Sequence, residues 1–257
     1  MAEVFIVPSR VEAGVIAASH IEALVGRRPD AVLGLATGST PLSTWAALAN
    51  LNLDFSQARG FALDEYVGLP AGHPESYREV ITKEVVVPLG LTPSLVRVPG
   101  DDGGPIATAG DRYERDIVAA GGIDLQILGI GTTGHIGFNE PGSSLASLTR
   151  VKTLAEQTRM DNARFFASPD DVPRHCITQG LGTILRARHL VLLAFGANKA
   201  AVVAAALEGP VTASTPGSVV QLHPHVTVII DEDAATELAL ADYYRYAAEH
   251  AHGLPLD

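Results

Sequence analysis

Three stretches of this sequence carry side chains whose types and spacing could do chemistry. The first is Gly60-Phe-Ala-Leu-Asp64-Glu65-Tyr66-Val-Gly68-Leu-Pro70, where an apolar run ends on two adjacent acids. Neighbouring strand residues point to opposite faces, so Asp64 and Glu65 should not share one site. A carboxylate at a strand's carboxyl end is placed to act as a general base. The competing reading is a solvated acidic turn. The second stretch is Gly129-Ile-Gly131-Thr-Thr133-Gly134-His135-Ile-Gly137-Phe-Asn139-Glu140-Pro141. Imidazole with a carboxylate partner is a general-base arrangement in which the carboxylate sets tautomer and orientation. His135 and Glu140 fit it. The glycines allow a tight turn and a close backbone approach to a ligand. The third is Thr37-Gly38-Ser39-Thr40-Pro41, a hydroxyl-rich turn into a predicted helix. Free N–H groups and the dipole at such a start favour an anion, although an ordinary helix cap has the same spelling.

Gly129, Gly131 and Gly134 also match the dinucleotide pattern G-x-G-x-x-G. The context excludes it. The residues that follow are poor helix formers, and no acid closes the next predicted strand. No Gly-Lys-Ser/Thr follows Thr37–Thr40, so a Walker A loop is excluded as well.

Positioning these residues requires alternating strands and helices. Apolar runs predict strands over Val4–Val7, Ala31–Ala36, Gly60–Leu63, Leu95–Val98, Ile123–Ile130, Arg150–Leu154, His189–Phe195 and Val226–Ile230. Helical spacing predicts helices over Ser9–Val25, Pro41–Leu48, Ser76–Val86, Pro105–Ala119, His175–Arg186, Asn198–Leu207 and Asp233–Glu249. Continuously apolar strands are those of a parallel sheet covered on both faces. The pattern predicts one α/β domain over residues 1–257, a three-layer α/β/α sandwich with a mostly parallel, Rossmann-like sheet. Ligands of such sheets bind at the strands' carboxyl ends, which is where all three stretches fall.

Composition bounds the partners. The chain has 18 Lys+Arg against 29 Asp+Glu, a net charge of −11, with 47% hydrophobic and 18% charged residues. That excludes disorder and argues against nucleic acid or an anionic membrane as a partner. One cysteine, Cys176, forms no intrachain disulfide, and no zinc-ligand spacing occurs. The first residues lack a signal peptide's basic start, and no apolar run is long enough to span a membrane. A cytoplasmic location follows as the expectation. His223 and His225, flanking Pro224, read as structural.

Further markers are Ser143-Ser-Leu-Ala-Ser147, Arg164-Phe-Phe166 and Gln221-Leu-His-Pro224. With Phe61–Pro70 and the Gly129–Pro141 loop, they make the chain resemble the glucosamine-6-phosphate deaminase family over nearly its whole length. The resemblance implies that glucosamine 6-phosphate and water become fructose 6-phosphate and ammonia, with no metal or cofactor. It implies that Asp64 moves a proton from C2 to C1 and that His135, supported by Glu140, opens the sugar ring. Thr37, Gly38, Ser39, Thr40, Arg164 and Lys199 would hold the phosphate, with residues 158–174 as a mobile lid carrying Arg164. Ser143, Ser144, Arg150 and Lys152 match an allosteric site for N-acetylglucosamine 6-phosphate, found between subunits in some members, so a homo-oligomer is allowed. One departure stands out: some members have an acid where this chain has Thr133. Two alternatives share the fold, a 6-phosphogluconolactonase-like hydrolase and a non-catalytic sugar-phosphate sensor.

Overall fold

A computed structural model describes residues 3–250. The remaining ends of the expected 1–257 domain lie outside the described residues. In chain order the elements begin with β1 (Glu3–Val7), α1 (Arg10–Arg27), β2 (Val32–Leu35), α2 (Leu42–Ala49), β3 (Arg59–Ala62) and β4 (Asp64–Tyr66). Next come α3 (Tyr77–Ile81), α4 (Val87–Leu89), β5 (Val96–Arg97), α5 (Ala109–Ala119), β6 (Leu125–Gly129), β7 (Arg150–Thr153) and α6 (Glu156–Asn162). The chain continues through β8 (His175–Thr178), α7 (Leu181–Ile184), β9 (His189–Ala194), α8 (Ala200–Leu207), β10 (Val226–Asp231) and α9 (Ala241–His250).

Seven strands form a parallel sheet in the order β1-β10-β9-β6-β2-β3-β5. It is the central layer of a three-layer α/β/α sandwich. The middle strands are buried on both faces, as their unbroken apolar runs require: β2 and β9 expose almost nothing along their length. The core includes Leu33, Leu125, Ile127, Val191, Leu193, Val228 and Ile229, all within 1% of full burial. β6 pairs with β9 on one side and β2 on the other, and β2 pairs with β3. The carboxyl ends of β2, β3, β6 and β9 are therefore neighbours, and the Thr37, Asp64, His135 and Lys199 segments all leave from them. Among the described residues no helix is long and apolar enough to cross a membrane.

Several expected elements differ. Residues 175–186 form no continuous helix. His175–Thr178 is a strand, and only Leu181–Ile184 is helical. The strand joins a small antiparallel sheet in the order β4-β8-β7, so Arg150–Thr153 belongs there rather than to the parallel sheet. Residues 233–249 become helical only at Ala241. Before that, Asp231 draws in the N–H groups of Gly196 and Ala234, and Glu208 accepts from Ala239 and Leu240. These side-chain bonds satisfy the backbone in turns instead of helix. The 76–86 helix contains a π-turn over Thr82–Val86, where the Thr82 hydroxyl donates to Arg78 O at 2.7 Å.

At the amino ends of β9 and β10, away from the site, four histidines gather. His223 lies between Ala187 O and His225 O, as a structural side chain should. His189 Nε2 is 2.9 Å from Thr227 Oγ1, and the His20 ring meets the His189 ring edge-on at 5.2 Å. Burial, with His20, His225 and His223 nearby, pulls His189 down to about 4. Burial also lowers His20, against the pull of Glu3. A folded value below the unfolded one means that the unfolded state takes up the proton first as pH falls. Stability from this cluster is therefore lost between about pH 6.5 and pH 4. The melting temperature of wild type should fall across that window more than that of His189→Gln. Parallel melting curves for the two would refute the assignment.

Candidate active site

A cavity of about 500 Å³ opens at the carboxyl ends of the central strands. Thr37, Gly38, Ser39, Thr40, Asp64, His135, Arg164 and Lys199 all line it. Sequence segments separated by more than 160 residues thus meet at one place, the Thr37–Thr40, Asp64, His135 and Lys199 segments each following a strand end and Arg164 a turn after α6.

Asp64 is the first residue of β4, where the chain passes from the parallel sheet to the small one. It pairs with Thr178 of β8. The side chain is 6% exposed, and burial with the nearby charge of Glu65 pushes its carboxyl up to about 8, against a hydrogen bond from the Phe138 N–H. Glu65 points the other way, as strand alternation requires. It accepts from the N–H groups of Tyr66, Tyr77 and Arg78 at 2.7, 2.9 and 2.9 Å. Glu65 therefore caps the start of α3 and ties β4 to it. Burial raises the Glu65 carboxyl too, while those three N–H groups and Arg78 oppose the rise.

His135 sits on a loop closed by hydrogen bonds from Gly131 N to His135 O, 2.9 Å, and from Gly134 N to Gly131 O, 3.0 Å. The imidazole lies flat against Gly131. A Cβ at that position would collide with ring atoms Cε1, Nε2 and Nδ1, so the ring's place depends on a residue with no side chain. Gly137 turns the chain at φ 56° beside Asp64 and Thr178, a left-handed conformation that favours glycine. Glu140 lies behind His135, outside the cavity lining, and is 7% exposed. Burial opposes its charge. Contacts with His135, the Thr158 hydroxyl and the Ala155 N–H outweigh that and hold its carboxyl below the usual range.

The Thr37–Thr40 turn enters α2 differently from the expected hydroxyl cap. Pro41 occupies the cap position, and no side chain caps the helix. The Thr37–Thr40 hydroxyls are thus not used as caps. Lys199, at the end of a 3-10 turn after β9, is half-buried; burial and Arg164 lower its pKa while Asp161 raises it. Arg164 lies on the 3-10 turn Ala163–Phe165, with its guanidinium 4.7 Å above the Phe165 ring.

Ser143, Ser144, Arg150 and Lys152 do not line the cavity. Arg150 donates to Asn139 Oδ1 at 2.7 Å, and Asn139 donates to Ile136 O and Gln179 O, so Arg150 braces the far end of the His135 loop. Several lining residues escaped the sequence reading. Tyr66, Tyr77, Phe138 and Phe166 form an aromatic wall, with Tyr66 4.9 Å from Tyr77 and 5.7 Å from both Phe138 and Phe166. The Tyr77 hydroxyl lies 3.4 Å from that of Tyr66. Tyr66 adjoins Asp64–Glu65 and was findable by position. Tyr77, in a helix thirteen residues on, had no local signal.

A family model described as glucosamine-6-phosphate isomerases/6-phosphogluconolactonase matches residues 12–229. The chain belongs to that family. Within it, a glucosamine-6-phosphate deaminase of Bifidobacterium longum (strain DJO10A) is 59% identical over 263 residues, covering 97% of each chain. One from Arthrobacter sp. (strain FB24) is 58% identical over 248 residues, covering 95% of each. A solved monomeric glucosamine-6-phosphate deaminase superposes with a TM-score of 0.89 at 41% identity, covering 92% of this chain and all of that one. A 6-phosphogluconolactonase from Trypanosoma brucei gives a TM-score of 0.75 at 19% identity over 93% of this chain and 99% of its own, which shows a shared fold.

Proposed function

We propose that this protein is a glucosamine-6-phosphate deaminase, converting glucosamine 6-phosphate and water to fructose 6-phosphate and ammonia. The observation that carries the reading is the meeting of a buried carboxyl and a carboxylate-backed imidazole in one cavity with two cations and a hydroxyl-rich turn. The 57–59% identity to glucosamine-6-phosphate deaminases supports it.

In this reading Thr37–Thr40, Lys199 and Arg164 bind the phosphate. Charge-assisted hydrogen bonds to a phosphate are roughly twice as strong as neutral ones. His135 Nε2 takes the proton of the anomeric hydroxyl. The C1–O5 bond breaks, O5 receives a proton, and the open-chain aldehyde forms. Asp64, as carboxylate, removes the C2 proton, which is acidified by the C1 carbonyl. The enolate oxygen O1 takes a proton from the C2 ammonium, the resulting enolamine receives the abstracted C2 proton at C1 from Asp64, and the double bond moves to C2 and nitrogen. Water adds to this ketimine and ammonia leaves. A carboxylate of raised pKa is the stronger base for a C–H proton, and its burial supplies that.

Residues 158–174 act in this proposal as a lid. Its exposed 3-10 turns carry Arg164, and Phe166 reaches into the aromatic wall. Closure would exclude water and bring Arg164 onto phosphate. A reducing cytoplasm suits a chain whose cysteine is a buried free thiol.

A coupled assay for ammonia and fructose 6-phosphate tests the reading. Release of both in equal amounts from glucosamine 6-phosphate is the expected result. Hydrolysis of 6-phosphogluconolactone instead, or binding without turnover, would overturn it. Repeating the assay with N-acetylglucosamine 6-phosphate tests Ser143, Ser144, Arg150 and Lys152 as an activator site. A curve that stays hyperbolic and unmoved rejects it.

A further inference from the structure

His135 Nδ1 lies 3.6 Å from Glu140 Oε2, a loose ion-pair separation. Thr133 stands beside both. Its Oγ1 is 2.9 Å from His135 Nδ1, at hydrogen-bond distance, and 3.5 Å from Glu140 Oε2, close enough to point its proton at that oxygen. The loop leaves it little choice of position. Gly131 N and Gly134 N bond within the loop, Gly217 N reaches in to Gly134 O at 2.7 Å, and neighbouring Thr132 is tied to Asp161 at 3.3 Å.

One arrangement of protons serves all three groups. A hydroxyl has one proton and two lone pairs, while a carboxylate only accepts. In it the Thr133 proton is directed at Glu140, Nδ1 meets a lone pair of the hydroxyl, and Nδ1 carries the ring hydrogen. The other nitrogen, Nε2, is left as the acceptor. An imidazole that donated from Nε2 instead would be the wrong tautomer to take a proton from a sugar hydroxyl.

We propose that Thr133 is a positioning residue for ring opening, its hydroxyl bridging His135 Nδ1 to Glu140. The bridge holds Nε2 as the base and relays the carboxylate's stabilisation to the imidazolium formed when Nε2 is protonated. No proton crosses Thr133: the one taken from the sugar stays on Nε2 until it is returned to the ring oxygen. The inference rests on the deaminase reading above. It deepens that reading by assigning a neutral hydroxyl to this position of the relay.

The test compares Thr133→Val, which keeps the shape and deletes the hydroxyl, with Thr133→Ser, which restores it. Thr133→Ala serves if valine crowds the loop. Two quantities are read: kcat for ammonia release, and the dissociation constant of 2-amino-2-deoxyglucitol 6-phosphate, the acyclic alcohol of the substrate, which needs no ring opening. Thr133→Val should lower kcat about 10–100-fold, the range for a hydrogen bond to a charged group. The acyclic alcohol should bind within about twofold of wild type, a window well below one pKa-unit equivalent. Thr133→Ser should recover most of the rate. A valine variant as fast as wild type, or a serine variant no faster than valine, would overturn the proposal. So would a loss of alcohol binding in step with the loss of rate, since that marks a merely structural role. Wild type that released no ammonia would overturn the deaminase reading and this inference together. An active wild type matched by Thr133→Val would overturn this inference alone.

Discussion

Asp64→Asn should lose about 10²–10⁴ in kcat, the usual worth of a general base, while still binding sugar phosphate. The amide has nearly the carboxyl's shape and cannot take the C2 proton. The same variant should also gain heat stability relative to wild type as pH rises. Asp64 has a folded value of about 8 because burial and Glu65 disfavour its charge. An unfolded aspartate titrates near 3.9. The native state thus holds its proton where the unfolded state has released it, and stability from this group is lost as pH rises from about 4 through 8. Asparagine, neutral throughout, escapes that loss. The difference in melting temperature between variant and wild type should grow over this interval and level off above it. Wild-type kcat/KM reports the free enzyme and should rise with pH through about 8. The acidic limb of kcat should lie lower, because the substrate's own C2 ammonium beside Asp64 favours the carboxylate. Normal turnover by Asp64→Asn would remove Asp64 from the chemistry. Equal melting profiles would show that its burial carries no cost.

The opposition between stability and activity at Asp64 bears on what could be read in the sequence. The central strands were legible because their burial on both faces leaves unbroken apolar runs, as in Leu190–Ala194. The opposite orientations of Asp64 and Glu65 followed from strand alternation and were met by the Glu65 cap on α3. The small sheet was not legible. His-Cys-Ile-Thr is a four-residue run, and its identity as a strand comes from pairing with residues 64–66 and 150–153, far away in the chain. Asp64 is buried where it pairs with Thr178, a place no local pattern announces, so its raised pKa was equally hidden. Pro41 taking the cap position over Thr40 is a similar case: either spelling suits a helix start, and the fold decided between them. The spacing of residues 233–240 suits a helix, but Asp231 and Glu208 turn that backbone aside through bonds no local pattern announces.

Lys199→Met tests the proposed phosphate end of the cavity and bears on how a chain of net charge −11 takes an anionic substrate. Methionine keeps most of the side chain's length and apolar contact and deletes the charge. Lys199 is half-buried beside Arg164, and both burial and Arg164 oppose its charge, with Asp161 as partial relief. A phosphate dianion relieves both cations at once, so the site is electrostatically incomplete until it is filled. Removing one member of a buried, hydrogen-bonded charge pair costs about 2–5 kcal/mol. The expected loss in kcat/KM for glucosamine 6-phosphate is therefore about two orders of magnitude, or about 3 kcal/mol. Most of it should fall on KM, because the phosphate is bound alike in ground and transition states. Unphosphorylated glucosamine should be turned over equally poorly by wild type and variant, since it has nothing for Lys199 to hold. Arg164→Met should act on the same dianion, and the double variant should lose less than the product of the single losses, as side chains sharing one partner do. A KM within about twofold of wild type would place the phosphate elsewhere, since twofold is far below the 2–5 kcal/mol expected of a broken charge pair. Salt offers the discriminating control. The diffuse repulsion from surface carboxylates is screened over about 8 Å at physiological ionic strength, whereas contacts inside the cavity are screened much less. Raising salt should therefore change KM of wild type and Lys199→Met by similar factors and leave the gap between them standing.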